Sequence, residues 1–211
     1  MTINIADLKL EYLNFEEVKV GNNNTFVKPT YEHEDFPCLQ FPFITLSSFG
    51  VPQKGQYTKE DKQRMFIKVP IEMGDLYSQL MNIDEKMRNI IDLSNLHIFG
   101  SSLTYEYEPL LKYDVKQNIT YIKVKLGTSY PDDKILTEVW HLGVDTKDLC
   151  PIDNIDEFAK CVPFKSEIIM LIKVSKLWVV SKKYGLTIPL TKIQVKPRVR
   201  QSQEVNFIDD D

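Results

Sequence analysis

Two β-branched apolar runs, residues 168–180 and 186–195, constrain the fold of this chain more than any other feature. They flank Ser181-Lys182-Lys183-Tyr184-Gly185, a polar link whose length and glycine suit a hairpin loop, so the two runs are expected to fold back on one another. The second arm carries a further signal. Its apolar residues sit at even positions (Leu186, Ile188, Leu190), and after Thr191 they move to odd ones (Ile193, Val195, Val199). Side chains alternate along a strand with period two, so a one-residue slip in phase requires one unpaired residue. That is a β-bulge, and it bends the strand. Beyond the slip Lys192, Gln194, Lys196, Arg198 and Arg200 share one face.

The same region is the basic pole of the chain. Residues 165–200 hold nine Lys or Arg against the single acid Glu167, a charge of +8 in a chain whose total is −4, which leaves −12 on the other 175 residues. A basic element in an acidic protein points to a polyanionic partner. The competing reading is a solvated edge strand guarded by lysines and Pro197.

Period-two alternation recurs upstream. Met65, Ile67 and Val69 oppose Phe66 and Lys68; Ile122, Val124 and Leu126 oppose Tyr121, Lys123 and Lys125. Aromatic and basic residues together on an outer strand face can stack bases and pair phosphates, the pattern of a single-strand nucleic-acid platform. Residues 36–46, apolar and aromatic with two prolines, suit an edge or bent strand. Further strands are expected in 96–113, interrupted by Pro109, and in 134–140. Leu76, Leu80, Ile83, Met87 and Ile90 follow the helical period and predict one amphipathic helix with a core-facing stripe. A short helix is expected over 152–161, opened by Pro151 or Asp153. Residues 1–30 promise only a short helix or strand and a turn at 21–24, and 51–62 reads as a loop. The fold class is therefore mainly β with a few helices: one domain over 1–200, and a disordered acidic tail over 201–211.

Catalytic signatures are missing: the eight glycines form no phosphate loop, and no HExxH occurs. Glu106 and Glu108 share a strand face without a His or Asp beside them, so no enzyme, cofactor or metal site is expected. Cys38, Cys150 and Cys161 are odd in number and lack metal-ligand spacing, as do His33, His97 and His141. Structural thiols in a reducing, intracellular compartment are expected. The N-terminus lacks the basic and apolar regions of a signal peptide, and no apolar run reaches the roughly 18 residues of a membrane span.

Phe36-Pro37-Cys38-Leu39-Gln40-Phe41 resembles a strand of the asfarvirus single-stranded DNA-binding protein. Leu177-Trp178-Val179-Val180, the following turn, and Tyr184-Gly185-Leu186-Thr187-Ile188-Pro189-Leu190-Thr191-Lys192 resemble that family's final hairpin. Phe66-Ile67-Lys68-Val69 followed by Leu76-Tyr77-Ser78-Gln79-Leu80 is similar to a strand-then-helix segment of the poxvirus single-strand binder. The resemblance implies an OB-like antiparallel β-barrel that coats single-stranded DNA during replication, in the host cytoplasm if the source is such a virus. It carries Phe41 and Trp178 over as binding aromatics. The chain departs from the asfarvirus pattern in lacking long central charged insertions and in its acidic end.

The expected function is sequence-independent binding of single-stranded DNA, with RNA not distinguished and self-association left open. Phe66, Tyr121, Trp178 and Tyr184 are the stacking candidates. Lys68, Lys123, Lys125, Lys182, Lys183, Lys192, Lys196, Arg198 and Arg200 are the phosphate candidates. The tail (Phe207, Ile208, Asp209, Asp210, Asp211) would occupy the basic groove or recruit replication proteins. The alternative is a structural or protein-interaction module, in which the aromatics are core. Trp178 shares its parity with Ile172 and Val174, which favours its burial unless the phase breaks near Lys173.

Overall fold

The structure, a computed structural model, describes residues 1–16, 19–20, 25–51, 64–93, 105–129, 132, 134–143 and 146–196. Their strands form a ten-stranded, a five-stranded and a three-stranded sheet, accompanied by two α-helices and short 3-10 turns. The protein is mainly β, as its alternating segments imply.

The C-terminal hairpin is the frame. Its first arm is β15 (Glu167–Lys173) and β16 (Lys176–Val180); its second is β17 (Lys183–Thr187) and β18 (Pro189–Lys196). Both arms break at the same level, at 174–175 and at Ile188, and change sheet there. β15 and β18 pair in the ten-stranded sheet, while β16 and β17 pair in the five-stranded one. One hairpin thus belongs to two sheets. Its turn is tighter than the composition suggests: Val180 faces Lys183, and Ser181 and Lys182 both have positive φ (49° and 65°), the backbone sense of a two-residue hairpin turn. Gly185 is in β17, not in the turn.

The bulge lies where the phase slip places it. Leu171 pairs with Lys192 and Ile172 with Leu190, so Thr191 is the extra residue, and its Oγ1 donates to the Leu171 carbonyl at 2.8 Å. The bend divides the other edge of β18 between two strands. β12 (Ile119–Leu126) pairs with Pro189 and Leu190; β13 (Glu138–Leu142) pairs with residues 192–195. Buried Thr137 closes the handover: it donates to the Leu190 carbonyl at 2.7 Å and accepts from the Gly127 amide at 2.8 Å. β18 is therefore a central strand, which removes the edge-strand reading of its lysines.

β9 (Phe66–Pro70) pairs with β12, and β7 (Cys38–Gln40) and β8 (Ile44–Thr45) pair with β15. β8 runs beside β9 without a ladder between them. The ring β8–β15–β18–β12–β9 is thus OB-like but, among the described residues, not a closed barrel. Leu39, Phe41, Ile67, Val69, Ile122, Val124, Leu190, Ile193 and Val195 are buried within the core. β7 is not an edge; β1 (Thr2–Asn4) covers its other side.

Helix α1 (Asp75–Leu93) buries Leu80, Ile83 and Met87 of the expected stripe. Its buried Asp84 accepts from the Tyr107 hydroxyl (2.7 Å) and the amides of Leu110 (2.8 Å) and Leu111 (3.1 Å). Those bonds hold the Pro109 corner between β10 (Glu106–Glu108) and β11 (Leu111–Asp114). Burial and the Asp84 charge push the Tyr107 phenol far up, so it stays a donor. Helix α2 (Ile155–Cys161) is capped by Asn154, which accepts from the amides of Asp156 and Glu157; neither Pro151 nor Asp153 fills that role.

Candidate nucleic-acid interface

The outer faces of β9 and β12 carry the residues that alternation sets opposite the core. Across the ladder Phe66 pairs with Lys125, Lys68 with Lys123 and Pro70 with Tyr121; on the other edge of β12, Tyr121 pairs with Lys112 of β11. Rings and ammonium groups interleave. Lys123 Nζ lies 4.5 Å from the centre of the Phe66 ring, and Lys68 Nζ lies 4.6 Å from Tyr121 and 4.9 Å from Phe49. Asp114 also reaches Lys68, at 3.4 Å.

This face is one wall of a groove of about 400 Å³; the β16–β17 half of the hairpin is the other. Phe66, Lys112, Lys123 and Lys125 line the first wall, Lys176, Trp178 and Thr187 the second. Trp178 is half-buried because the alternation restarts when the strand changes sheet at 174–175; Leu177 takes the core position instead. A row of cross-strand partners, Phe26, Trp178, Gly185 and Glu108, seats the indole. A Cβ on Gly185 would lie 2.8 Å from Trp178 Cζ2, so glycine is what lets the ring lie flat over β17.

Among the described residues the groove holds four lysines and one acid, Glu108, which Lys112 engages and holds below the usual carboxylate range. Burial, then Lys112 and Lys68, push the Lys123 ammonium down from its ordinary value, against the opposing pull of Glu108. Cations crowded without matching acids favour an anion between them.

A second concavity, about 230 Å³, lies on the outer face of β15 and β18 among Gln40, Trp140, Lys147, Ile169, Leu171, Lys192 and Gln194. The expected basic comb is here, with Lys192 and Lys196 exposed beside half-buried Gln194. Its charges are already matched. Lys192 Nζ is 2.9 Å from Glu138, which also accepts from Trp140 Nε1 at 3.1 Å, and Lys196 is 3.1 Å from Glu167. Lys192 and Trp140 hold Glu138 below its usual range.

Of the residues singled out in the sequence, the structure brings Phe66, Lys68, Tyr121, Lys123, Lys125 and Trp178 into or beside one groove. Two aromatics are corrected. Phe41 is fully buried, and Tyr184 is core as well: its hydroxyl donates to the Met87 carbonyl at 3.0 Å, and its ring lies 5.2 Å from Tyr107. Neither can stack on a base. Lys182 and Lys183 sit at the hairpin tip, at the opposite end of β16 and β17 from Lys176 and Thr187, and Lys183 lies 3.8 Å from Glu106. Arg198, Arg200, Phe207, Ile208, Asp209, Asp210 and Asp211 lie outside the described residues. Phe26, Phe49, Lys112 and Lys176 join the site without having been singled out. The alternation of β11 could have offered Lys112; only the change of sheet brings Lys176 in.

His141, Cys150 and Cys161, scattered in sequence, converge: one ring nitrogen and the two Sγ atoms lie within 4.8 Å of one another. Burial and the neighbouring Cys161 push the Cys150 thiol up to about 11.

No family model and no curated protein matches the chain. Among solved structures, a single-stranded DNA-binding protein from bacteriophage Enc34, in complex with ssDNA, is similar over 88% of this chain and 96% of that one, at 12% identity and a TM-score of 0.40.

Proposed function

We propose that the chain binds single-stranded DNA without sequence preference, in the groove between the β9–β12 face and the β16–β17 half of the hairpin. The observation that supports this is the interleaving there of Lys112, Lys123, Lys125 and Lys176 with Phe66 and Trp178, continued onto Lys68, Tyr121 and Phe49. Every base has a π-face, so stacking tolerates any sequence, at roughly 1–3 kcal/mol per base. The lysines neutralise phosphates, which makes affinity fall with salt. A duplex keeps its base faces covered and gives the rings nothing to stack on. No catalytic role is proposed. In the cell such a protein would coat single strands exposed in replication, recombination or repair. The resemblance to large cytoplasmic DNA viruses would make that replication viral, with the tail as a contact for replication proteins.

The test is fluorescence anisotropy of a labelled oligo-dT of roughly thirty nucleotides, titrated at two salt concentrations beside a duplex of equal length. Tight, salt-sensitive binding to the single strand with weak duplex binding is expected. Absence of single-strand binding at low salt, with and without the tail, would overturn the assignment.

A further inference from the structure

The convergence of His141, Cys150 and Cys161 is separate from the groove. His141 is on β13, and Cys150 ends β14 (Lys147–Cys150), which pairs antiparallel with β13; Val139 faces Cys150 and His141 faces Asp148. Cys161 is the last residue of α2, which packs on β13. Three elements thus deliver one imidazole and two thiols to a single point, each side chain half-buried and within reach of solvent ions.

We propose that these three residues form a binding site for a zinc ion. Two sulfur donors and one imidazole nitrogen are a donor set that Zn²⁺ favours over the hard cations, which take oxygen. A spread within 4.8 Å needs only small side-chain adjustments to close around one ion. The imidazole has the support that ligating histidines have. Its Nε2 is 2.8 Å from the Cys161 carbonyl oxygen; in the tautomer that donates to this carbonyl, Nδ1 carries the lone pair a metal needs. Three protein ligands leave a fourth position for water or a small anion. Bound metal would tie the β13–β14 hairpin to the end of α2. The opposite face of that hairpin presents Trp140 and Lys147 to the comb concavity, so the ion would stiffen that wall without entering the groove proposed for DNA.

The experiment uses the full chain, purified under reducing conditions, stripped with a chelator and titrated with Co²⁺ as a spectroscopic stand-in, then with Zn²⁺. Expected are a thiolate-to-cobalt charge-transfer band saturating at one ion per chain, its displacement by Zn²⁺, and a Zn²⁺-dependent rise in Tm that chelator reverses. Cys150→Ser and Cys161→Ser should each lose the band, His141→Asn should weaken it at least tenfold in affinity, and Cys38→Ser should keep it. The wild-type chelation arm needs no variant to fold. Absence of the band in the wild type, its persistence in the Cys150→Ser/Cys161→Ser double variant, or formation of a Cys150–Cys161 disulfide in place of metal binding would each overturn the site. DNA affinity is a separate readout, so failure here leaves the groove assignment intact.

Discussion

Lys68 and Lys123 face one another directly across the β9–β12 ladder, each with its ammonium over an aromatic ring. Like charges directly opposite on a sheet work against folding. Asp114 offsets Lys68, and Lys123 has burial, Lys112 and Lys68 disfavouring its charge against the weaker opposing pull of Glu108. A phosphate between the two would relieve both. Lys123→Met, which keeps the aliphatic length, should therefore raise stability, by roughly 0.5 kcal/mol on the scale of cross-strand pairs. It should also weaken oligo-dT binding and lower the salt slope by about 0.7, because one phosphate is left without its lysine. The sign with pH follows. The folded-state pKa of Lys123 lies below its unfolded value, so the unfolded chain binds more protons between the two, and stability rises with pH through that interval. DNA binding, which favours the charged form, should take up protons and weaken over the same interval. Urea unfolding and anisotropy across alkaline pH check both directions.

The two concave surfaces should differ in their weight. Lys192 and Lys196 are already engaged by Glu138 and Glu167, so Lys192→Ala/Lys196→Ala should cost several-fold less affinity than Lys123→Ala/Lys125→Ala. Glu138→Gln removes the charge that holds Lys192 while keeping an oxygen that can accept from Trp140, and should leave oligo-dT affinity within about twofold. A larger loss in Lys192→Ala/Lys196→Ala than in Lys123→Ala/Lys125→Ala, measured at one salt concentration, would assign the strand to the comb face instead.

Gly185 is a packing requirement of Trp178. In Gly185→Ala the new methyl meets the indole at 2.8 Å and the Glu108 carbonyl at 3.1 Å, so the ring must lift. Overpacking of this kind costs roughly 1–3 kcal/mol. Denaturant unfolding should show that loss, and the intrinsic fluorescence of the folded protein should shift red as Trp178 becomes more exposed.

Asp84 receives three donors inside the fold, and an amide cannot replace it. In Asp84→Asn one oxygen becomes an NH₂ facing a hydroxyl or amide donor, leaving a buried clash of donors worth about 2–3 kcal/mol. Thermal unfolding checks the loss. Because Lys112 follows the corner that Asp84 holds, groove affinity should fall with it.

The acid-terminated tail is proposed as a competitor for the lysine groove. Deleting residues 204–211 should tighten oligo-dT binding, most at low salt, where screening is weakest. Unchanged or weaker binding would remove the competitor role.

Local alternation in the sequence determined which residues face out and which face in. Phe66 and Lys68, then Tyr121, Lys123 and Lys125, follow from period two alone, because a strand with one buried face cannot slip by a single residue. The bulge at Thr191 was legible for the same reason. What the tertiary structure decided is where strands change partners. The breaks at 174–175 and Ile188 split one hairpin between two sheets, restart its alternation and turn Trp178 outward; the polar residues Lys173, Ser175 and Lys176 and the proline after Ile188 allow such breaks, but only the change of sheet fixes them. Pairing across long sequence separations likewise drew Tyr184 against Tyr107 and α1, set Lys176 opposite Lys123, and gathered His141, Cys150 and Cys161. Such contacts depend on which elements meet, and a period read along one strand carries no information about its neighbour.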